Sequence, residues 1–301
     1  MVDFILVTRD PLEFHHKNIT INREHYSFLR YAGHKVITNL QCNYAARIYY
    51  NTLIKSNGRM IKYGVISYED LLTDLQDWSW MYVAGRLQKP VLEDWSWMYV
   101  AGRLQKPVLE VIKSQDEPLK SALRINRKSA LQAALLQLPD TFTFEKLFQE
   151  IVQLSYSGDI RMKFGEDQNK IKKIVKGSMG KFMDTYHPLL ADDSRIRLDG
   201  PKIEQDNSTP AIYHRLNLLP YSVLDRLSQQ YRIHDPKQRD IEEVLFSLAH
   251  RHDVPVQVAY SIRSIVSNSS GSQTYKNALT AGILKSIIYA LQKVKKRISI
   301  R

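Results

Sequence analysis

The sequence predicts an α+β protein, with a mixed sheet near the N-terminus, a mainly helical continuation and a basic amphipathic C-terminal helix. Three observations carry this. An apolar β run, Val2 to Thr8, is followed by two β-rich runs, Arg47 to Ile54 and Arg59 to Ser67, joined through Ser56-Asn57-Gly58. Beyond residue 119 the apolar spacing becomes mostly helical. From Val254 to Arg301 there is no Asp or Glu, against eight Lys or Arg, although the whole chain of 301 residues carries a net charge of only +12.

The elements follow in order. Val2 to Thr8 reads as the first strand, and His25 to Tyr31 and Val36 to Tyr44 as short helices. Asn57-Gly58 predicts a tight hairpin, because such a turn needs positive φ at both central residues. A helix from Tyr68 places Leu71, Leu75, Trp78 and Tyr82 at helical spacing and is expected to end at Gly85 and Pro90. Further helices are expected over 119–138, 144–155, 167–186 and 241–250. Arg195 to Leu198 and Ala211 to Leu218 are candidate strands, and 192–210 a surface loop or small β wing. The last helix, 277–297, has Leu279, Ile283, Ile287, Leu291 and Val294 on one stripe, with Lys285, Lys293, Lys296 and Arg297 on or near the opposite side. Such a helix can lie in the headgroup layer of an anionic membrane, or simply pack on a core with a solvated basic end. The domains expected are 1–119, 120–253 and a basic region 254–301.

Residues 77–93 recur without a gap as 94–110, identical at all seventeen positions, and the copies hold all four tryptophans. Two identical copies do not make a solenoid, which needs three or more diverging units. Seventeen residues are about 4.7 helical turns, so an inserted copy does not return side chains to their original face. The first copy, continuous with the helix from Tyr68, is expected to be the one that packs.

Composition narrows the function. No stretch is long and apolar enough to span a bilayer as a helix. Cys42 is the single cysteine, which excludes a disulfide framework and a cysteine-rich zinc site. The basic excess favours anionic partners, lipid headgroups or nucleic acid. No P-loop, nucleophile elbow or dinucleotide glycine fingerprint is present.

Several residues could carry chemistry. Asp3, at the start of an apolar strand, is where a sheet can offer a carboxylate to a divalent metal, although lone strand-end aspartates are usually just solvated. Lys62 lies in a strand two residues before Gly64, which permits close backbone approach. Arg86, Gln88 and Lys89 could face a polyphosphate as a fork and a point charge, or merely complement a helix C-terminus. Leu154 to Arg161 ends a helix with small polar residues, a glycine, Asp159 and Arg161, which could also pair with each other.

Taken together, His15 with Asn18, His25-Tyr26-Ser27, Tyr49-Tyr50-Asn51, Ile61 to Ser67, Ala84 to Pro90, Leu154 to Asp159, and Thr280-Ala281-Gly282 with Lys285-Ser286 resemble the mitochondrial translocator assembly and maintenance family. These are mitochondrial phosphatidate cytidylyltransferases, or CDP-diacylglycerol synthases. The resemblance runs in order from Asp3 almost to the C-terminus. It implies a nucleotidyltransferase-like domain, a winged-helix-like domain and a membrane-associating C-terminal helix. The implied reaction joins CTP and phosphatidic acid into CDP-diacylglycerol and pyrophosphate with Mg²⁺, peripherally on the matrix side of the mitochondrial inner membrane, for cardiolipin synthesis. Asp3 then becomes the metal ligand and, with Lys62, catalytic. Arg86, Gln88, Lys89, Asp159 and Arg161 become substrate-binding, and Lys285, Lys293, Lys296 and Arg297 membrane-binding.

Three departures accompany the resemblance. The family's Tyr-Gly-Ser-Gly segment before the Asp3 strand does not precede it here, so the chain is expected to be N-terminally truncated, with little activity. The family's Gly-Ala-Gly appears as Ala45-Ala46-Arg47, and the seventeen-residue repeat is additional. An import-supporting scaffold of the inner membrane would share the basic tail without needing Asp3 or Lys62. An RNA nucleotidyltransferase would be expected to interleave its bases with stacking aromatics, so no nucleic acid partner is expected.

Overall fold

The computed structural model describes residues 2–56, 58–89, 98–100, 116–160, 162, 169–234 and 240–281. The chain opens with β1 (Val2–Thr8) and helix α1 (Pro11–Ile21), then two 3-10 turns (Arg23–His25 and Phe28–Tyr31) and α2 (His34–Asn43). The hairpin β2 (Ile48–Ser56) and β3 (Arg59–Ser67) follows, with Gly58 at φ +72°. β1 lies parallel to β3, Asp3 opposite Lys62. β4 (Met98–Val100), from the second copy, pairs with the other edge of β1 and gives the order β2-β3-β1-β4.

Alternation along the strands gives this sheet two buried faces. Leu6, Ile54, Tyr63 and Val65 pack with Phe14 of α1, and Tyr49 packs with Tyr26 and Ile37. Val7, Ile48, Tyr50 and Ile66 point the other way, into a core that continues through the helical part as far as Val266. Helix α1 has no counterpart in the sequence reading, although its start is written in Asp10-Pro11. Asp10 Oδ1 accepts the Glu13 N–H at 2.9 Å, and proline stands where a helix has no use for an N–H.

Helix α3 (Tyr68–Asp77) is capped by Ser67, whose Oγ accepts the Asp70 N–H at 3.0 Å. It ends sooner than its apolar spacing predicts, at Trp78, which takes a left-handed φ of 55°. A separate turn, α4 (Ala84–Leu87), then carries Arg86, and Gly85 lies inside it instead of ending a helix.

The helical part contains α5 (Glu117–Leu135), β5 (Thr141–Thr143), α6 (Phe144–Leu154), α7 (Lys170–Gly177) and α8 (Met179–Ala191). The hairpin β6 (Ile196–Asp199) and β7 (Lys202–Gln205) joins β5 in a second sheet, order β5-β7-β6, so the stretch 192–210, expected as a surface loop or small β wing, contains a β hairpin. Next come α9 (Thr209–Asn217), α10 (Tyr221–His234), α11 (Ile241–Ala249) and α12 (Val254–Ala281). Two expectations are corrected. The stretch 211–218, read as a strand, falls in α9 up to Asn217, with Leu218 as its C-cap and Pro210 in its first turn. The helix expected over 167–186 is two, divided at Gly177-Ser178.

Helix α12 begins well before the expected C-terminal helix, because the polar run Ser267-Asn268-Ser269-Ser270-Gly271-Ser272 hides its periodicity. It fastens the end of the described chain to the N-terminal sheet. Gln273 Oε1 accepts the Ala46 N–H at 3.1 Å, and its Nε2 donates to the Ile48 carbonyl at 3.1 Å. Lys276 Nζ donates to the Leu40 and Tyr44 carbonyls at the end of α2, at 3.2 and 2.7 Å. Burial pushes this ammonium down to about 7. No helix among the described residues is long and apolar enough to cross a membrane.

Candidate functional site

The sheet face that bears Lys62 also bears Tyr50 and Gly64, paired across β2 and β3. A Cβ at Gly64 would sit 2.6 Å from both Ile48 Cδ1 and Tyr50 Cε1, so glycine is what lets Tyr50 lie across the strand. Lys62 Nζ rests 4.2 Å from the centre of the Tyr50 ring. Tyr50 meets Tyr82 edge-on at 6.4 Å, and the Arg86 guanidinium lies 4.0 Å over Tyr82 while also donating to the Tyr82 carbonyl. The aromatic pair thus links two cations from segments distant in sequence.

From there the site continues into the helical part. A Cβ on Gly85 would stand 2.4 Å from Ser155 Cβ, so α4 touches the end of α6 directly. Lys89 Nζ donates to Ser155 Oγ at 2.6 Å and lies 4.1 Å from the centre of the Tyr156 ring, which Lys170 approaches at 5.1 Å. Asp159, 3% exposed, brings a carboxylate to the same segment. Gly158, at φ +83°, permits the turn and packs on α12, where a Cβ would be 2.5 Å from the Arg263 carbonyl oxygen.

Asp74 holds the Arg86 loop in place. Its Oδ1 accepts the Trp80 and Met81 N–H groups at 3.0 and 2.6 Å, and its Oδ2 those of Val83 and Ala84 at 2.8 and 2.9 Å. Burial raises the carboxyl, and the four N–H donors oppose that rise. Asn126 of α5, fully buried, accepts from Trp78 Nε1 at 2.8 Å and Gln88 Nε2 at 2.9 Å, and donates to the Ala84 carbonyl at 3.0 Å. Tyr186 OH donates to the Gln88 carbonyl at 2.6 Å. Gln88 is therefore inside the protein, locking the loop.

These contacts explain which copy fits. The first copy occupies this framework, with Trp78 fully buried. In the second copy the position equivalent to Asp74 is Val91, which has no side-chain oxygen to gather four N–H groups. Of the second copy, only Met98–Val100 lies among the described residues; Trp95 and Trp97 lie outside them.

The structure thus brings Lys62, Arg86, Lys89 and Asp159 into one connected group of segments, in which Lys89, Asp159 and Gln88 are buried. Asp3 joins through the backbone register of β1 with β3; its side chain, Arg161, Lys285, Lys293, Lys296 and Arg297 lie outside the described residues. Sequence reasoning missed Tyr50, Tyr82 and Tyr156 as partners of the cations, Lys170 as a further cation, and Asp74 and Asn126 as supports. The Tyr-Tyr-Asn and Ser-Tyr-Ser-Gly words signalled the tyrosines; nothing local distinguished Asn126 from any other helix residue.

The pattern of the family described as "Phosphatidate cytidylyltransferase, mitochondrial" matches residues 1–93 and 92–296. The chain belongs to this family. The mitochondrial phosphatidate cytidylyltransferase of Caenorhabditis briggsae is 50% identical over 297 residues, covering 98% of this chain and 87% of the relative. Those of Xenopus laevis and Bos taurus are 40% and 41% identical, each covering 98% of this chain and 83% of the relative. The family match breaks at 92–93, the seam between the two copies. One copy therefore completes the family pattern from each side, as expected of an additional segment.

Proposed function

We propose that the chain is a phosphatidate cytidylyltransferase, forming CDP-diacylglycerol and pyrophosphate from CTP and phosphatidic acid. Membership of the family supports this, and the observation that carries it at the site is the run of cations on tyrosine rings, Lys62, Arg86, Lys89 and Lys170, from the strand face to the end of α6. A phosphate oxygen of phosphatidic acid attacks the α-phosphorus of CTP, the bond to the β-phosphate bridge breaks, and pyrophosphate leaves with the electron pair. The attacking oxygen is already ionised near neutral pH, so catalysis is mostly positioning and charge stabilisation. Lys62 and Arg86 would hold the triphosphate, and Lys89 and Lys170 the second phosphate or the pyrophosphate.

Mg²⁺ fits this arrangement as a nucleotide-borne ion, since it commonly takes one or two carboxylates plus substrate phosphates. Among the described residues no three His, Cys, Asp or Glu side chains gather to hold a metal ion. Asp3 is the carboxylate that would meet it, as the family resemblance implies, and when bound it would neutralise phosphate charge. In this reading 1–119 is the nucleotidyltransferase-like domain, 120–253 the winged-helix-like domain with the β6–β7 hairpin as its wing, and 254–301 the membrane-associating region. The names of the relatives support a mitochondrial location; the matrix face of the inner membrane and a part in cardiolipin synthesis are what the family resemblance implies.

The test is formation of CDP-diacylglycerol from labelled CTP in liposomes containing phosphatidic acid, with and without Mg²⁺. The chain is assayed as it stands and extended upstream by the family's Tyr-Gly-Ser-Gly segment. Mg²⁺-dependent product is expected, and its absence from both forms rejects the reading.

A further inference from the structure

Around the two 3-10 turns the fold leaves a group of large apolar side chains in solvent: Ile21 is 67% exposed, Phe28 57% and Tyr31 71%. Phe28 and Tyr31, three apart in a 3-10 turn, share one face. The Tyr31 ring is bracketed by the Arg30 guanidinium at 5.0 Å and that of Arg23 at 5.6 Å, and Arg30 Nη2 donates to the Tyr31 hydroxyl at 3.1 Å. Neither arginine has a carboxylate at ion-pair distance among the described residues. Between Lys17 and Lys35 the sequence has four Lys or Arg and a single acid, Glu24, which lies 3.8 Å from His25 Nε2.

Scattered exposed apolar residues are ordinary on a protein surface, but here they adjoin guanidinium groups left without an acid. Rings lying flat in a headgroup layer beside phosphate-binding arginines are what an anionic bilayer accommodates. We propose that Ile21, Phe28 and Tyr31, with Arg23 and Arg30, form a membrane contact that docks the N-terminal part of the molecule on an anionic phospholipid surface. The purpose of this contact rests on the lipid-substrate reading, whereas the docking itself does not.

Two structural links give the contact its place. His25 Nδ1 bonds the Tyr63 hydroxyl at 2.9 Å, so the patch is mounted on β3 one residue from Lys62. Lys276 ties α12 to the C-terminal end of α2, and α2 starts three residues after Tyr31. The patch and the exit of the basic tail are therefore separated by about one α2 length, ~15 Å. Stable attachment to a bilayer generally takes two signals. A tail alone would tether the protein; tail and patch together would orient it.

The test is flotation of the full chain with vesicles of phosphatidylcholine alone or with added cardiolipin. F28S/Y31S is expected to lower partitioning onto the anionic vesicles at least fivefold. R23Q/R30Q should lower it on anionic vesicles only, and F246S, at a site 58% exposed elsewhere, should leave it unchanged. Turnover of a short-chain phosphatidic acid below its critical micelle concentration should be the same in F28S/Y31S as in the parent. Unchanged partitioning of F28S/Y31S, or an equal fall in F246S, overturns the proposal. So does loss of RNA oligonucleotide binding in R23Q/R30Q with vesicle binding intact. A parent chain that makes no product but still shows the partitioning contrast refutes the enzyme reading and leaves the docking standing.

Discussion

On the α1 side of the N-terminal sheet, tyrosine hydroxyls meet neutral partners. Tyr26 OH lies 2.8 Å from His15 Nδ1 and accepts from Asn18 Nδ2 at 2.9 Å, and the same amide donates to Tyr63 OH at 2.8 Å. On the opposite side, Tyr50, Tyr82 and Tyr156 offer ring faces to Lys62, Arg86, Lys89 and Lys170. One residue type thus serves two ends: hydroxyls in a buried hydrogen-bond network on one side, and ring faces against cations on the other. The difference teaches that a tyrosine can build a buried polar network through its hydroxyl or seat a cation on its ring face, according to which end it turns to the neighbour.

The sharpest way to break the contrast is to remove a cation from the second face. Lys62→Met and Lys89→Met should each lower kcat/KM for CDP-diacylglycerol formation by about 10²- to 10³-fold, the scale for losing one charge-stabilising donor. The equilibrium melting temperature should move little. A loss of less than threefold in both would remove this surface from the reaction.

Next in size is the support beneath it. Asp74→Asn turns an acceptor of four N–H bonds into a group with two N–H donors of its own, and should destabilise the fold by about 3 kcal/mol in denaturant titration. Asn126 makes a related point about legibility. The hairpin, the strand carrying Asp3 and most helices could be read from periodicity and the Asn-Gly turn, which act over a few residues. The Arg86 and Lys89 words were visible for the same reason. The joining of those words to Ser155 and Tyr156, and the burial of Gln88 on Asn126, bridge 38 to 67 residues and leave no local trace. The early stop of α3 was missed because Trp78 keeps the apolar spacing while its backbone turns left-handed to bring the next N–H groups to Asp74.

The neutral face can be tested by pH. Burial lowers the His15 imidazole from its ordinary value to about 4. The unfolded chain therefore takes up this proton between about pH 6.5 and 4 while the folded protein refuses it, so stability should fall as pH drops through that window. The loss is at most about 3 kcal/mol for a shift of this size. His15→Gln should be less stable at pH 7 but should flatten the slope; a slope unchanged in the variant would assign it to other groups.

The smallest effect lies where the chain passes from one face to the other. Between α2 and β2, Ala45 and Arg47 hold left-handed φ values of 55° and 49°, at the positions where the resembling family has glycine. An L-residue there crowds its Cβ against the backbone, which glycine avoids. Arg47 is compensated, since Nη1 pairs with Asp70 Oδ1 at 2.9 Å and the guanidinium lies 5.0 Å from the centre of the Trp80 ring. Ala45 has only a methyl group and no such compensation. Ala45→Gly should therefore stabilise the protein by about 0.5 to 1 kcal/mol, whereas Arg47→Gly should gain the same relief and lose the ion pair, leaving stability nearly unchanged. Thermal unfolding of the two variants and their double mutant separates the terms. If Ala45→Gly destabilises, the left-handed turn is not a source of strain, and the passage between the two faces is as relaxed as the strands it joins.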